Sequence, residues 1–414
     1  MAWWGICLYL FQLSSRRQLD FELASVGTQV LTNLNRLAQT HHDTRPVHDT
    51  LDYFVGHVDA EEFVGIRTQM ARRLVRMKAV DSARLLGRLV VLVDGTGLIC
   101  WHRRHCPHCL VQKHEKTTLY LHNVLESKLL GPDGLVISVA SEFIDNSDAA
   151  STAGKGADAI KQDCELKAFD RLVPKLKAVF PQTRLVLSGD NLFACGRVFQ
   201  ACKDNRWSYV LSFKEGHMSA VWADFQGLLQ LSRENRVDRI LPDGTHQVYG
   251  WVLGLWYVDD DSRRWTFNAL ECLETLPDGT QRRFAWLTDL PVTRETVEEI
   301  ANQGGRNRWK IENEGFNRQK NSGLNLSHVY STNPEKSKAY YYLLQIAFII
   351  MQVLERGSLL RQLAAEHGRT TMQLFGSLKN IVRRMLEAVR YLVLPEDCFD
   401  ADVAGRLKIR FDTS

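Results

Sequence analysis

The sequence has no large excess of either charge sign, no cysteine framework and no apolar run long enough to cross a bilayer. Over 414 residues the net charge is only +4. Overall electrostatics therefore do not single out a nucleic-acid partner, and local clusters have to be sought instead. The nine cysteines are scattered and odd in number, unlike the dense pattern of a disulfide-stapled secreted domain. A reduced, cytoplasmic setting is the better reading. The most apolar stretch, 339–354, is too short to span a membrane and carries Gln345 and Gln352, so a buried core helix is expected and no membrane partner. The apolar opening, Met1 to Phe11, lacks the charged leader and the small-residue cleavage site of a signal peptide. It starts inside a helical pattern with no capping residue, which suggests missing N-terminal sequence. Internal repeats and low-complexity tracts are absent too.

What is present is an ordinary globular composition, 45% apolar and 24% charged, on a chain long enough to bury a large core. Basic charge is concentrated. Residues 67–88 carry seven Lys/Arg against one Asp, and residues 306–320 carry five against two Glu. Acidic loops such as Asp259-Asp260-Asp261 offset them.

Periodicity divides the chain. Residues 1–88 read as helical, ending in a long basic helix from about 60, with Phe63, Ile66, Met70, Leu74 and Met77 at helical spacing. This is a candidate DNA-contacting region. Leu89–Val93 is a continuous aliphatic run, as in a strand buried on both faces, and it stops at Asp94-Gly95. Two strands follow near 119–124 and 135–139, joined by Gly131-Pro132-Asp133-Gly134. A helix over 158–178, a strand ending at Asp190, a helix over 192–203 and a strand over 207–213 complete a core over 89–216. In 217–290, alternation at Trp251–Tyr257 and Trp265–Ala269, with turns at Pro242-Asp243-Gly244 and Pro277-Asp278-Gly279, predicts an inserted antiparallel β subdomain. Residues 291–335 bring a basic helix back to the core, and 336–414 read as a C-terminal helical region. The expected class is α/β, a mixed-sheet core with a β insertion and C-terminal helices.

Three carboxylates stand out. Asp94 and Asp190 each end an apolar run expected to be a central strand, where α/β sheets collect ligands. Glu312 lies in the basic helix. Together they would make an oxygen-rich site of the kind Mg²⁺ prefers, and paired ions serve phosphoryl transfer. Taken singly, Asp94-Gly95 reads equally well as a turn and Asp190-Asn191 as a helix N-cap.

Arg308-Trp309-Lys310-Ile311-Glu312 resembles the R-W-x-I-E core of bacterial insertion-sequence transposases of the DDE type, whose signature is written Y-x2-R-x3-E-x6-K. Val93-Asp94-Gly95-Thr96 resembles their first-acid motif, Ser188-Gly189-Asp190 their second, and Phe284 to Leu290 the stretch before the third. The likeness covers nearly the whole chain, most clearly about 50–350. It implies an RNase H-like core, dependence on Mg²⁺ or Mn²⁺, cleavage at transposon ends and strand transfer into target DNA. It also implies double-stranded DNA as partner and a homodimer in the complex. Asp94, Asp190 and Glu312 map to the catalytic, metal-binding acids and Arg308 to the signature arginine, with Lys310, Trp309 and Lys320 as further DNA contacts. Two departures are visible: Gly305 stands at the tyrosine position, and Lys320 falls one residue late, with Gln319 at the expected place. Glu314 is a minor competitor for third acid. The alternatives are a nuclease on the same core that does not join ends, and a non-catalytic DNA-binding remnant.

Other features have blander readings. Cys106 and Cys109 have the C-x2-C spacing of half a Zn²⁺ site, which His102, His114 or His122 would have to complete; a basic loop with Arg103 and Arg104 touching phosphates is favoured over structural zinc. Trp309 suits core packing better than base stacking. Trp251, Trp256 and Trp265 are expected to form the core of the β insertion. Arg72, Arg73, Arg76, Lys78, Arg84 and Arg88 read as either a phosphate-binding stripe or a solvated face.

Overall fold

The computed structural model describes residues 1–24, 27–146 and 162–396. Its organising element is one ten-stranded mixed sheet. The strands are β1 (Leu89–Trp101), β2 (Leu110–Lys113), β3 (Thr118–Leu130), β4 (Val136–Ile144), β5 (Leu185–Gly189), β6 (Ser208–Ser212), β7 (Arg236–Ile240), β8 (His246–Val258), β9 (Arg264–Thr275) and β10 (Gln281–Thr288). They run in the order β2-β3-β1-β5-β6-β10-β9-β8-β7, with β4 also paired to β3. β5 is parallel to β1 and β6 parallel to β5, while the other pairs are antiparallel.

The parallel centre follows from its residues. In β1, Leu89, Val91 and Val93 pack on one face, Val90 and Leu92 on the other. Leu185 and Leu187 against Val186 repeat the pattern in β5, as do Tyr209 and Leu211 against Val210 in β6. A strand apolar at every position needs cover on both sides. Helices α6 (Glu165–Val179), α7 (Gly196–Asn205) and α8 (Ser219–Leu231) cover the first face through Phe169, Leu172, Phe199 and Phe225. The second face is covered by the helical run 297–321, through Val297, Ile300, Ile311 and Phe316. Each fully buried side chain of this size contributes roughly 1.5–3 kcal/mol before entropy is subtracted.

A second apolar layer joins α1 (Ala2–Leu10), α2 (Arg16–Leu23), α3 (Val30–Ala38), α4 (His48–Val55) and α5 (Ala60–Arg76) to the long helix Pro334–Arg356. Taken on through Glu366, this stretch is long and apolar enough by composition to cross a membrane, against the expectation drawn from 339–354. Here it is a core helix: Gln352 donates to the Val136 carbonyl at 2.9 Å and accepts from the Val136 N–H at 3.0 Å. Tyr340, Tyr341 and Tyr342 pack inside, as their apolar setting predicts.

Five expectations change. β1 does not stop at Asp94 but continues to Trp101, because its antiparallel pairing with β3 outlasts its parallel pairing with β5. Residues 217–290 are mostly antiparallel strand but open with α8, and β10 pairs with β6, so these strands extend the core sheet instead of standing apart. Trp251 is buried, whereas Trp256 is exposed, with the Arg264 guanidinium 4.7 Å above its ring. Of the basic stripe, Arg72 donates to the Ala178 and Val179 carbonyls at the end of α6, and Arg84 pairs with Asp81; both are structural. The predicted helix over 158–178 begins at Glu165 among the described residues.

Candidate active site

Strand parity aims the acids. Val90 and Leu92 face the 297–321 run, so Asp94, two places further along the same strand, faces it too. On β5, Val186 faces the run, and Ser188 donates to the Gly304 carbonyl at 2.6 Å. Leu92 pairs with Ser188 in parallel register. Continued by two residues, that register sets Asp190 beside Asp94, about 5 Å away along the hydrogen-bonding direction. Asp190 also caps the short turn Asn191–Phe193, accepting from Leu192 N–H at 2.9 Å. The cap and the site are therefore compatible uses of one residue.

Glu312 comes from the 297–321 run, which is helical but not uniformly α. Residues Ile300–Gly305 and Ile311–Asn317 are wound as wide π turns, and Arg306–Trp309 as a tight 3₁₀ turn between them. Such irregular turns are frequent at functional sites. Gly304 and Gly305 let the run approach the sheet: a Cβ on Gly305 would lie 2.3 Å from the Trp286 indole. The indole of β10 thus fills the space that a tyrosine at 305 would need.

Arg308 ties the elements together. Its Nη1 lies 2.6 Å from Glu312 Oε1 and 3.3 Å from Asp94 Oδ2. The two carboxylate oxygens are consequently at most about 6 Å apart, within reach of a pair of ions. A fourth carboxylate, missed at the sequence level, lies at the same end of the sheet but over its other face. Glu165, in the first turn of α6, lies directly over Gly95, where a Cβ would meet its Oε1 at 2.1 Å. It is half-buried; burial and the Asp190 charge raise its pKa. No motif marks Glu165. The only signal was an acid in the first turn of a helix, a common placement.

Burial pushes the Asp94 carboxyl up to about 7, with Glu312 and Glu165 adding to the rise and Arg308 opposing it. The donor set is all oxygen and carries excess negative charge, which fits Mg²⁺ or Mn²⁺. Because its folded pKa lies above the ordinary value, Asp94 keeps its proton in the native chain at pH values where the unfolded chain has lost it. Its contribution to stability therefore falls as pH rises from about 4 through 7. In chelator-treated protein, Asp94→Asn should stabilise by about 1–3 kcal/mol at pH 8, and the gain should shrink toward pH 5. Thermal melts at the two pH values check this; a gain independent of pH would mean that Asp94 has an ordinary carboxyl.

The remaining expected residues divide. Lys320 Nζ donates to Thr96 Oγ1 at 2.8 Å, two residues past Asp94 on β1. Trp309 is exposed, 44% of its surface open, so the core reading does not hold for it. Lys310 lies among Glu314, Arg356 and Asp133, and burial lowers its pKa; the structure does not bring it to the carboxylates. Glu314 pairs with Arg356 and approaches Arg318 at 3.9 Å, which gives it a structural partner instead of a place in the site. Cys106, Cys109 and His122 converge elsewhere on the β1–β3 ladder. No protein-family model matches the chain, and no curated protein matches it.

Proposed function

We propose that the chain is a metal-dependent transposase of the DDE type, built on an RNase H-like core, that cleaves DNA at element ends and joins the freed 3′ ends to a target. One observation carries the reading: Asp94 and Glu312 share the Arg308 guanidinium just past the end of the β1–β5 parallel pairing, and Asp190 follows the last pair, Leu92 with Ser188, by the same two residues as Asp94 does. A run of three antiparallel strands, β1, β3 and β4, followed by two strands parallel to the first, supports the RNase H-like assignment.

Asp94, Asp190 and Glu312 would hold the divalent ions, which when bound supply charge neutralisation and a more acidic attacking hydroxyl. Arg308 has N–H groups left over after Asp94 and Glu312, and a guanidinium can meet two phosphate oxygens with parallel hydrogen bonds. It would orient the scissile phosphate against the acids. Lys320, held at Thr96, would place a point charge further along the same strand. Exposed Trp309 would lie against a base or sugar next to the cut. The partner is double-stranded DNA, engaged by a homodimer.

The test uses purified full-length chain, Mg²⁺, a plasmid carrying the coding region with its flanking DNA, and a second target plasmid. The reading expects cleavage at the flanks and 3′ ends covalently joined to the target. Cleavage without joined product would replace it by a nuclease. A retarded DNA band with no cleavage in Mg²⁺ or Mn²⁺ would replace it by a binding remnant.

A further inference from the structure

We infer that Cys106, Cys109 and His122 form a zinc site that staples the β1–β2 loop to strand β3. The inference does not rest on the transposase reading. Cys106 Sγ lies 3.4 Å from Cys109 Sγ and 3.1 Å from His122 Nε2, and Cys109 Sγ lies 3.4 Å from the same Nε2. With zinc–sulfur bonds of about 2.3 Å and zinc–nitrogen bonds of about 2.0 Å, the edges of a tetrahedral site are about 3.5–3.8 Å. The observed triangle is close to that size. It is far from a disulfide, whose sulfurs are about 2.05 Å apart.

The chemistry and the setting agree. Two thiols and one imidazole are borderline-soft donors, the set zinc takes in structural sites. Cys109 is fully buried, and Cys106 is partly exposed. Residues 102–109 form neither helix nor strand. They are held from β4's end by Asn146, whose N–H donates to the His108 carbonyl at 2.8 Å and whose side-chain amide donates to the Cys109 carbonyl at 3.1 Å. His122 comes from β3, beside the bulge where β1 shifts register between Gly97 and Ile99. The two other histidines considered from sequence are used otherwise or lie apart: His102 Nδ1 is 3.4 Å from Thr117 Oγ1, and His114 belongs to the β2–β3 turn. Three protein ligands converge among the described residues, so the fourth vertex falls to water or to a turned side chain such as His108, adjacent to Cys109 and with Nδ1 buried without a hydrogen-bond partner. A bound ion would fix Arg103 and Arg104, both exposed on this loop, at a set position beside β3.

The test is metal analysis of the untagged full-length chain, purified under reducing conditions from zinc-supplemented cells. About one zinc per chain is expected, resistant to a Mg²⁺-free wash and falling below about a tenth in Cys106→Ser and Cys109→Ser. To make the test independent of how those variants fold, the wild-type chain is also exchanged with Co²⁺. The expected result is thiolate-to-cobalt charge transfer together with the intense visible bands of tetrahedral cobalt. Zinc below about a tenth per chain in wild type and no cobalt spectrum would overturn the site. So would thiol titration showing that Cys106 and Cys109 are already joined as a disulfide.

Discussion

Asp94→Asn, Asp190→Asn and Glu312→Gln are each expected to lower Mg²⁺-dependent strand cleavage by at least about 10³-fold, while leaving the fold and DNA binding in place. Each substitution keeps the side-chain volume and removes only the negative charge that a hard cation needs. The Asp94 and Glu312 variants also free Arg308 from one of its two carboxylate partners, so their loss should persist when the metal concentration is raised. Glu314→Gln is the internal control. It lies two residues from Glu312, yet pairs with Arg356 and Arg318. It should cleave at near wild-type rate and lose only stability. Cleavage by the Asp94, Asp190 or Glu312 variant within about threefold of wild type would remove that residue from the site. A large loss in Glu314→Gln with normal folding would mean that the third acid has been misassigned. Gel-based cleavage, with circular dichroism on the same preparations, reads all four.

The second large effect lies in the core. Lys128 is wholly buried on β3, its Nζ 3.7 Å from Glu126 Oε1 and 3.3 Å from Gln345 Oε1, with the Phe316 ring 5.5 Å away. Glu126 in turn accepts from Ser138 and Tyr341, and it is the cross-strand partner of Asp94. Removing one member of a buried ion pair leaves the other charge without compensation. Lys128→Ala is therefore expected to cost about 3–5 kcal/mol in urea unfolding. The double change Lys128→Met with Glu126→Gln should cost less than the single one, because the Glu126 charge goes with its partner; the buried Arg67 guanidinium, held by Ser138 and Ser141, keeps part of the loss. Burial lowers the Lys128 pKa, and Phe316 belongs to the turn that carries Glu312. The pair thus anchors that turn to the sheet from beneath. Equal losses in the single and double variants would show that packing, not charge, governs the position.

The legible part of this molecule was what periodicity and local motif encode. Leu89–Val93 reads as a doubly buried strand because each residue feeds one of two faces, and that parity already aims Asp94 at whatever covers the second face. Arg308 and Glu312 are four residues apart in the sequence and meet in space. What was not legible depends on partners that periodicity does not name. Residues 95–101 mix glycines with apolar and polar positions, so only their pairing with β3 reveals them as strand. The alternation over 246–288 identifies strands but not that β10 would dock on β6. Glu165 can lie against β1 only because Gly95 has no side chain, a relation between two segments distant in sequence. Trp309, beside an arginine in an amphipathic run, had no cue to point outward.

The wide turn at Ile311–Asn317 has one further consequence. In the signature the chain resembles, six residues separate acid from lysine; here seven do, from Asn313 to Gln319. On a uniform α-helix each residue advances by about 100°, so an added one would swing the lysine roughly a quarter turn off its mark. A π turn closes its hydrogen bonds one residue later and takes the surplus into its girth. Lys320 still arrives at Thr96. On the proposed reading, the extra residue would be absorbed as a local change of pitch. A pattern written with fixed gaps counts residues, whereas a helix that changes its winding can hold a side chain's direction while the count differs.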